Sequence, residues 1–172
     1  TPITLTNHTY FNLTGNLKDT IINHKVKFNS HRFLELNSEL IPTGKIRDTE
    51  NTTFDFSKGR KLKDGMASND IQNQIVGNGY DHYFLFNQGE KGQVVVKEET
   101  SGRVLKIESN QPGMVMYTGN NLDEKSELIE GKSRKYLGVC FETQGPPASL
   151  HHPNLPSIIL NTNEQYKKET IY

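Results

Sequence analysis

The sequence predicts an all-β protein, an antiparallel sandwich or barrel, on three observations. Turn signals recur every ~10 residues, the spacing of all-β folds. The runs between them are short and rich in β-branched and aromatic residues, which suit a pleated, half-buried surface. No long amphipathic helix is visible, and a parallel sheet would need such helices as crossovers.

The turns are clearest at Thr14-Gly15-Asn16, Pro42-Thr43-Gly44, Asn78-Gly79, Gln88-Gly89, Ser101-Gly102 and Gly131. Between them, Val26 and Phe28 alternate with Lys25 and Lys27, the pattern of a strand with one buried face. His82-Tyr83-Phe84-Leu85-Phe86, Val94-Val95-Val96, Val104-Leu105-Lys106-Ile107 and Leu137-Gly138-Val139-Cys140-Phe141 follow as apolar strands. Ile158-Ile159-Leu160 and an alternation of Tyr166, Thr170 and Tyr172 close the series. One short helix is expected from Asn69 to Val76, with Asn69 as its N-cap. No repeat, low-complexity tract or linker divides the chain, so it reads as one unit, residues 1–172.

Bulk properties narrow the function classes. Lys+Arg and Asp+Glu are both 20, and a neutral chain lacks the basic excess of a nucleic-acid binder. No apolar run approaches the roughly 20 residues of a membrane span, so neither nucleic acid nor membrane is expected as a partner. The single cysteine, Cys140, excludes an internal disulfide and fits a reducing cytoplasm. The chain opens on Thr1 with structured-looking residues and no leader, which suggests that it begins inside a domain. Its hydrophobic fraction, 33%, suits a loop-rich β protein or a piece that completes its core with other residues.

Three segments carry possible chemistry. In Thr6-Asn7-His8-Thr9-Tyr10-Phe11-Asn12-Leu13 a strand would set His8, Tyr10 and Asn12 on one face, where they could bind hydroxyls and move a proton. The same residues would also serve as a structural polar strand. In Gly79-Tyr80-Asp81-His82-Tyr83-Phe84 a carboxylate precedes an aromatic run, a combination suited to sugar rings and hydroxyls. Asp81 would equally cap the Asn-Gly turn. In Gly138 to Pro147, Glu142 follows an apolar run, so a buried Glu142 would be perturbed and a candidate base. Alternatively the strand emerges into solvent there. Cys140 reads as an inert core residue. His151-His152 lack the cysteine or acid cluster of a metal site, and the basic stretch from Lys58 to Lys63 reads as a solvated loop.

These segments, with Leu40-Ile41-Pro42-Thr43-Gly44, Phe54-Asp55-Phe56, Pro112-Gly113, Tyr117-Thr118-Gly119-Asn120, Leu122-Asp123, Glu142-Thr143-Gln144 and His152-Pro153-Asn154, together resemble the aldose 1-epimerase (galactose mutarotase) family in order and spacing. The resemblance implies a large β-sandwich, the galactose mutarotase-like supersandwich, with sugar in an open cleft. It implies interconversion of the α and β anomers of free aldohexoses, without metal or cofactor. It makes His8 the general acid toward the ring oxygen and Glu142 the general base toward the anomeric hydroxyl; the chemistry of ring opening asks for the two on opposite sides of the sugar. Asp81 would hold sugar hydroxyls, and Thr9 and Tyr10 would line the pocket. The family domain is roughly twice this length, so the chain would be its C-terminal half. The missing N-terminal half would add an arginine, a further histidine and strands. The family often carries glutamine at Val115 and an aromatic at Met116, where this chain is apolar. A non-catalytic sugar-binding module on the same fold, or an inactive fragment, is the alternative.

Overall fold

The computed structural model describes residues 1–172 except 16, 88, 90, 91 and 130. Asn16 and Gln88, assigned to turns from the sequence, therefore lie outside the described residues. Twelve strands are formed among those described: β1 Lys25–Phe28, β2 Arg32–Leu36, β3 Pro42–Asp48, β4 Arg60–Lys61, β5 Asp81–Leu85, β6 Gly92–Lys97, β7 Val104–Ser109, β8 Gly113–Tyr117, β9 Glu127–Leu128, β10 Gly131–Lys132, β11 Cys140–Gln144 and β12 Thr170–Ile171. One five-stranded sheet runs β12-β7-β6-β1-β4, the other β11-β8-β5-β2-β3, and β9 and β10 form a separate hairpin. The ladders are antiparallel.

The two sheets pack face to face. Val26, Phe28, Val94, Val96 and Ile107 from the first meet Phe33, Phe84, Met114, Met116 and Phe141 from the second. Phe54, Phe56 and Tyr80 complete this core from the connections. Its aromatics interlock: Phe33 stacks on Phe54 at 4.0 Å between centroids, and Phe54 meets Tyr80 edge-on at 5.5 Å. Such a sheet pair is the expected sandwich, and β1 shows the expected alternation of exposed lysines and buried Val26 and Phe28.

The second sheet is also partly covered on its other face. Leu34, Tyr83, Leu85 and Leu155 form a smaller apolar cluster there, with Ile46 and Val115 packed against it. Among the described residues no helix is long and apolar enough to cross a membrane.

Several local expectations change. The short helix is α2, Ile71–Ile75, after a one-turn α1 at Lys63–Met66. Its N-cap is Asp70 rather than Asn69, because the Asp70 carboxylate accepts from the Gln72 N–H. Pro42-Thr43-Gly44 is not the turn. The chain reverses just before it, where Asn37 Oδ1 accepts from the N–H groups of Glu39 and Ile41, and Pro42 opens β3. Ile158-Ile159-Leu160 contributes a single bridge, Pro2 to Ile159, instead of a strand. Lys58 to Lys63 holds the edge strand β4, with Arg60 paired to Asp64 at 3.1 Å and Lys61 to Glu99 at 3.0 Å.

Candidate functional site

The site lies on the face of the second sheet that points away from the main core. Opposed residues of an antiparallel ladder share a face. The β5–β8 and β8–β11 registers therefore set Asp81, Tyr117 and Cys140 in one row across three strands. Tyr83, Val115 and Glu142 form the next row. Glu142 thus sits in the middle of β11, hydrogen-bonded into the sheet, and not at a strand end opening to solvent. Of the two apolar departures, Val115 is on this face opposite Glu142, whereas Met116 is buried between the sheets.

Asp81 is placed by the turn before it. Asn78 has φ 64°, and the Gly79 carbonyl accepts from Asn73 Nδ2 at 2.7 Å. Tyr80 then donates its N–H to Thr118 Oγ1 at 2.9 Å, and Asn120 Nδ2 donates to the Tyr80 carbonyl at 2.9 Å. Thr118 and Asn120, both buried, thereby fix the start of β5 against the end of β8. Gly79 is required by close approach, since a Cβ there would lie 2.3 Å from Asn120 Oδ1 and 2.6 Å from Thr118 Oγ1.

Residues 6–13 do not form a strand. The segment makes one backbone bridge, in which Phe11 and Val139 exchange N–H···O bonds of 2.9 and 3.0 Å. That bridge lays His8 and Tyr10 over the outer row. The His8 ring is 5.1 Å from Tyr10 and 6.2 Å from Tyr117, and Tyr10 is 6.3 Å from Tyr117. Asn12 plays no part in this group. Its amide donates to the carbonyls of Asp19 and Leu137 and its oxygen accepts from Thr14, so it is a structural tie. Thr9 is exposed, and its N–H donates to Asn7 Oδ1 at 3.3 Å; the structure does not bring its side chain to His8 or Glu142.

His8 and Glu142 meet directly: Nε2 lies 3.2 Å from Oε1. The imidazole is 53% exposed and the carboxylate 12%, so the pair opens to solvent on the histidine side. The other imidazole nitrogen, Nδ1, lies 3.4 Å from Cys140 Sγ. One ring thus bridges two side chains of the same strand. His8, Cys140 and Glu142 are also a donor set within 4.8 Å that could hold a metal ion. The imidazole, however, turns opposite nitrogens to the thiol and the carboxylate, which is the arrangement of a hydrogen-bond relay; one ion would use only one of those nitrogens.

Burial perturbs the acids. Asp81 is raised to about 6, mainly by desolvation and opposed by the charge of His8. Glu142 is also raised, first by desolvation, with Asp81 adding to the shift and His8 opposing it. Desolvation pushes Tyr10 and the Cys140 thiol up to about 12 each, so both stay protonated at neutral pH. A face carrying two carboxyls with weakened acidity beside an imidazole is suited to accepting and delivering protons.

Of the five site residues named from the sequence, His8, Tyr10, Asp81 and Glu142 come together. Two further members were not singled out. Cys140 could have been found from its spacing, since it lies two residues before Glu142 and shares its face. Tyr117 reaches the site through the β5–β8–β11 register, which has no local signal.

A sandwich of this topology with an imidazole–carboxylate pair on its outer face is the setting for comparison with known proteins. The family model described as aldose 1-epimerase matches residues 1–172, and the chain belongs to that family. It is 36% identical over 176 aligned residues to a galactose mutarotase from Sus scrofa, covering 99% of this chain and 49% of the relative. A galactose 1-epimerase from Lactobacillus acidophilus superposes with a TM-score of 0.77 at 26% identity, covering 98% of this chain and 46% of that structure. An aldose epimerase homologue from C. elegans has the same fold, with a TM-score of 0.80 at 22% identity over 98% of this chain and 50% of that one. The chain spans about half the length of the curated relatives it matches.

Proposed function

We propose that this chain carries the proton-transfer pair of an enzyme that interconverts the α and β anomers of free aldohexoses such as glucose and galactose. The observation behind this reading is the contact of His8 with Glu142 on the outer face of the second sheet. Names carried by the relatives, galactose mutarotase and aldose 1-epimerase, support the same chemistry.

The reaction needs two coordinated transfers. Glu142 takes the proton of the C1 hydroxyl while His8 Nε2 delivers one to the ring oxygen. The C1–O5 bond breaks as C1=O forms, the aldehyde rotates, and the ring closes on the other face with both protons returned. Each positioned acid or base contributes about 10²–10⁴-fold. Asp81 receives sugar hydroxyls, and Tyr10 and Tyr117 offer aromatic surface to the sugar's C–H face.

Ring opening needs an acid and a base on opposite sides of the sugar, yet here the two touch. At 3.2 Å no sugar atom fits between them, so binding must part the pair. His8 is the side free to yield: it is the more exposed, on a segment held by the Phe11 bridge, whereas Glu142 sits within the β11–β8 ladder.

We also assign the chain to the C-terminal half of a longer, cytoplasmic epimerase domain, whose other half adds an arginine and a histidine to the pocket. The half-length match to the relatives supports this division. The test is polarimetry of α-glucose and α-galactose on the full-length enzyme, with the 172-residue chain measured beside it. Acceleration by the full-length protein supports the reading. Sugar binding without any acceleration would replace it with a non-catalytic binding module.

A further inference from the structure

We propose that Cys140 is a positioning residue for His8: its thiol holds Nδ1 and so reserves Nε2 as the ring atom that exchanges a proton. This rests on the mutarotation reading and adds to it a residue that the sequence marks only as buried and apolar.

The geometry carries the inference. Cys140 and Glu142 are two residues apart on β11 and share one face. The His8 ring spans them, with Nδ1 3.4 Å from Sγ and Nε2 3.2 Å from Oε1. A ring held at both nitrogens by one strand has its plane and its direction fixed. When sugar parts Nε2 from Glu142, the contact at Nδ1 remains as the pivot. Nε2 then stays within reach of the ring oxygen, because the imidazole is still anchored at its far side.

A thiol suits this task because it is neutral and accepts without a charge of its own. Its sulfur accepts from Nδ1–H of the imidazolium, and equally from Nδ1–H of the neutral ring that remains once Nε2 has given up its proton. A carboxylate at that position would instead favour the imidazolium and oppose release of its proton. Burial keeps the thiol protonated. During turnover the Nε2 proton goes to O5 and returns on ring closure. The Nδ1 proton stays on His8, facing Sγ throughout.

The test is ¹⁵N NMR of the His8 ring nitrogens in the full-length enzyme without sugar, in wild type, Cys140→Ala, Cys140→Ser and Glu142→Gln. Cys140→Ala is expected to move the Nδ1 resonance. Cys140→Ser, whose hydroxyl also accepts, keeps Nδ1 close to its wild-type position. Glu142→Gln moves chiefly Nε2, and it leaves the Cys140 packing intact should the cysteine variants fold poorly. A packing role alone predicts the reverse order, with alanine tolerated better than serine. An unmoved Nδ1 in Cys140→Ala, equal shifts in the alanine and serine variants, or a Glu142→Gln shift at Nδ1 instead of Nε2 overturns the proposal. In the full-length enzyme, Cys140→Ala lowers kcat about 5- to 10-fold at unchanged KM, the loss of one modest hydrogen bond. Unchanged kcat in that variant also overturns it. If wild type shows no mutarotation while the ring-nitrogen pattern holds, the function reading fails and the contact stands.

Discussion

Glu142 in the centre of β11 and His8 on the segment before β1 meet at 3.2 Å over the outer face of one sheet. The contact opposes, through the charge of His8, the upward shift that burial imposes on Glu142. Removing the imidazole should therefore weaken Glu142 further as an acid. In His8→Asn, the Glu142 carboxyl is expected to titrate at higher pH than in wild type, read by ¹³C NMR of its side chain. An unchanged or lower midpoint would mean that the two groups do not sense each other in solution.

Asp81 is raised to about 6 from an ordinary 3.8, so its ionised form is disfavoured by folding. A raised carboxyl binds its proton more tightly in the folded state, and stability falls as pH rises from about 4 through 6. The cost is absent below that window and complete above it. Asp81→Asn should accordingly stabilise the fold by roughly 1–3 kcal/mol at pH 8 and by little at pH 4. Urea unfolding at the two pH values checks this; equal effects at both would contradict the burial argument. The same variant should weaken sugar binding, because Asn cannot replace the carboxylate as a double acceptor.

Gly79 approaches Thr118 and Asn120 too closely for any side chain. Gly79→Ala forces those two buried residues apart and disturbs the start of β5. A loss of about 1–3 kcal/mol is expected from such overpacking, measured by thermal or urea unfolding. A variant as stable as wild type would show that the turn can shift without cost.

Phe54 supports the site from beneath. It is fully buried, stacked on Phe33 and edge-on to Tyr80 and His82. Truncation of a large aromatic in such a core costs about 3–5 kcal/mol, so Phe54→Ala should unfold at much lower urea. A shift of less than about 1 kcal/mol would place Phe54 outside the main core.

Much of the sandwich is legible in the sequence because its strands obey the period-two rule. The alternation of Lys25, Val26, Lys27 and Phe28 is the alternation of exposed and buried residues in β1. β2 is less visible, since Phe33 and Leu34 are adjacent and both buried, one toward each face of a sheet covered on both sides. β3 is disguised by Pro42-Thr43-Gly44, which reads locally as a turn. The candidate acid and base are legible through the family resemblance, but their contact is not. It depends on the Phe11–Val139 bridge, a pairing between distant parts of the chain. Cys140 was hidden by its apolar neighbours, and Tyr117 by a register that only the assembled sheet reveals.

The most direct test of the central claim is the mutarotation rate of the full-length enzyme carrying Glu142→Gln, followed by polarimetry with α-galactose and α-glucose. Glutamine keeps the size of the side chain and its place in β11 while removing the basic carboxylate. The account predicts a loss of at least about 10²-fold in kcat with the fold retained. A variant that interconverts the anomers at the wild-type rate would contradict it.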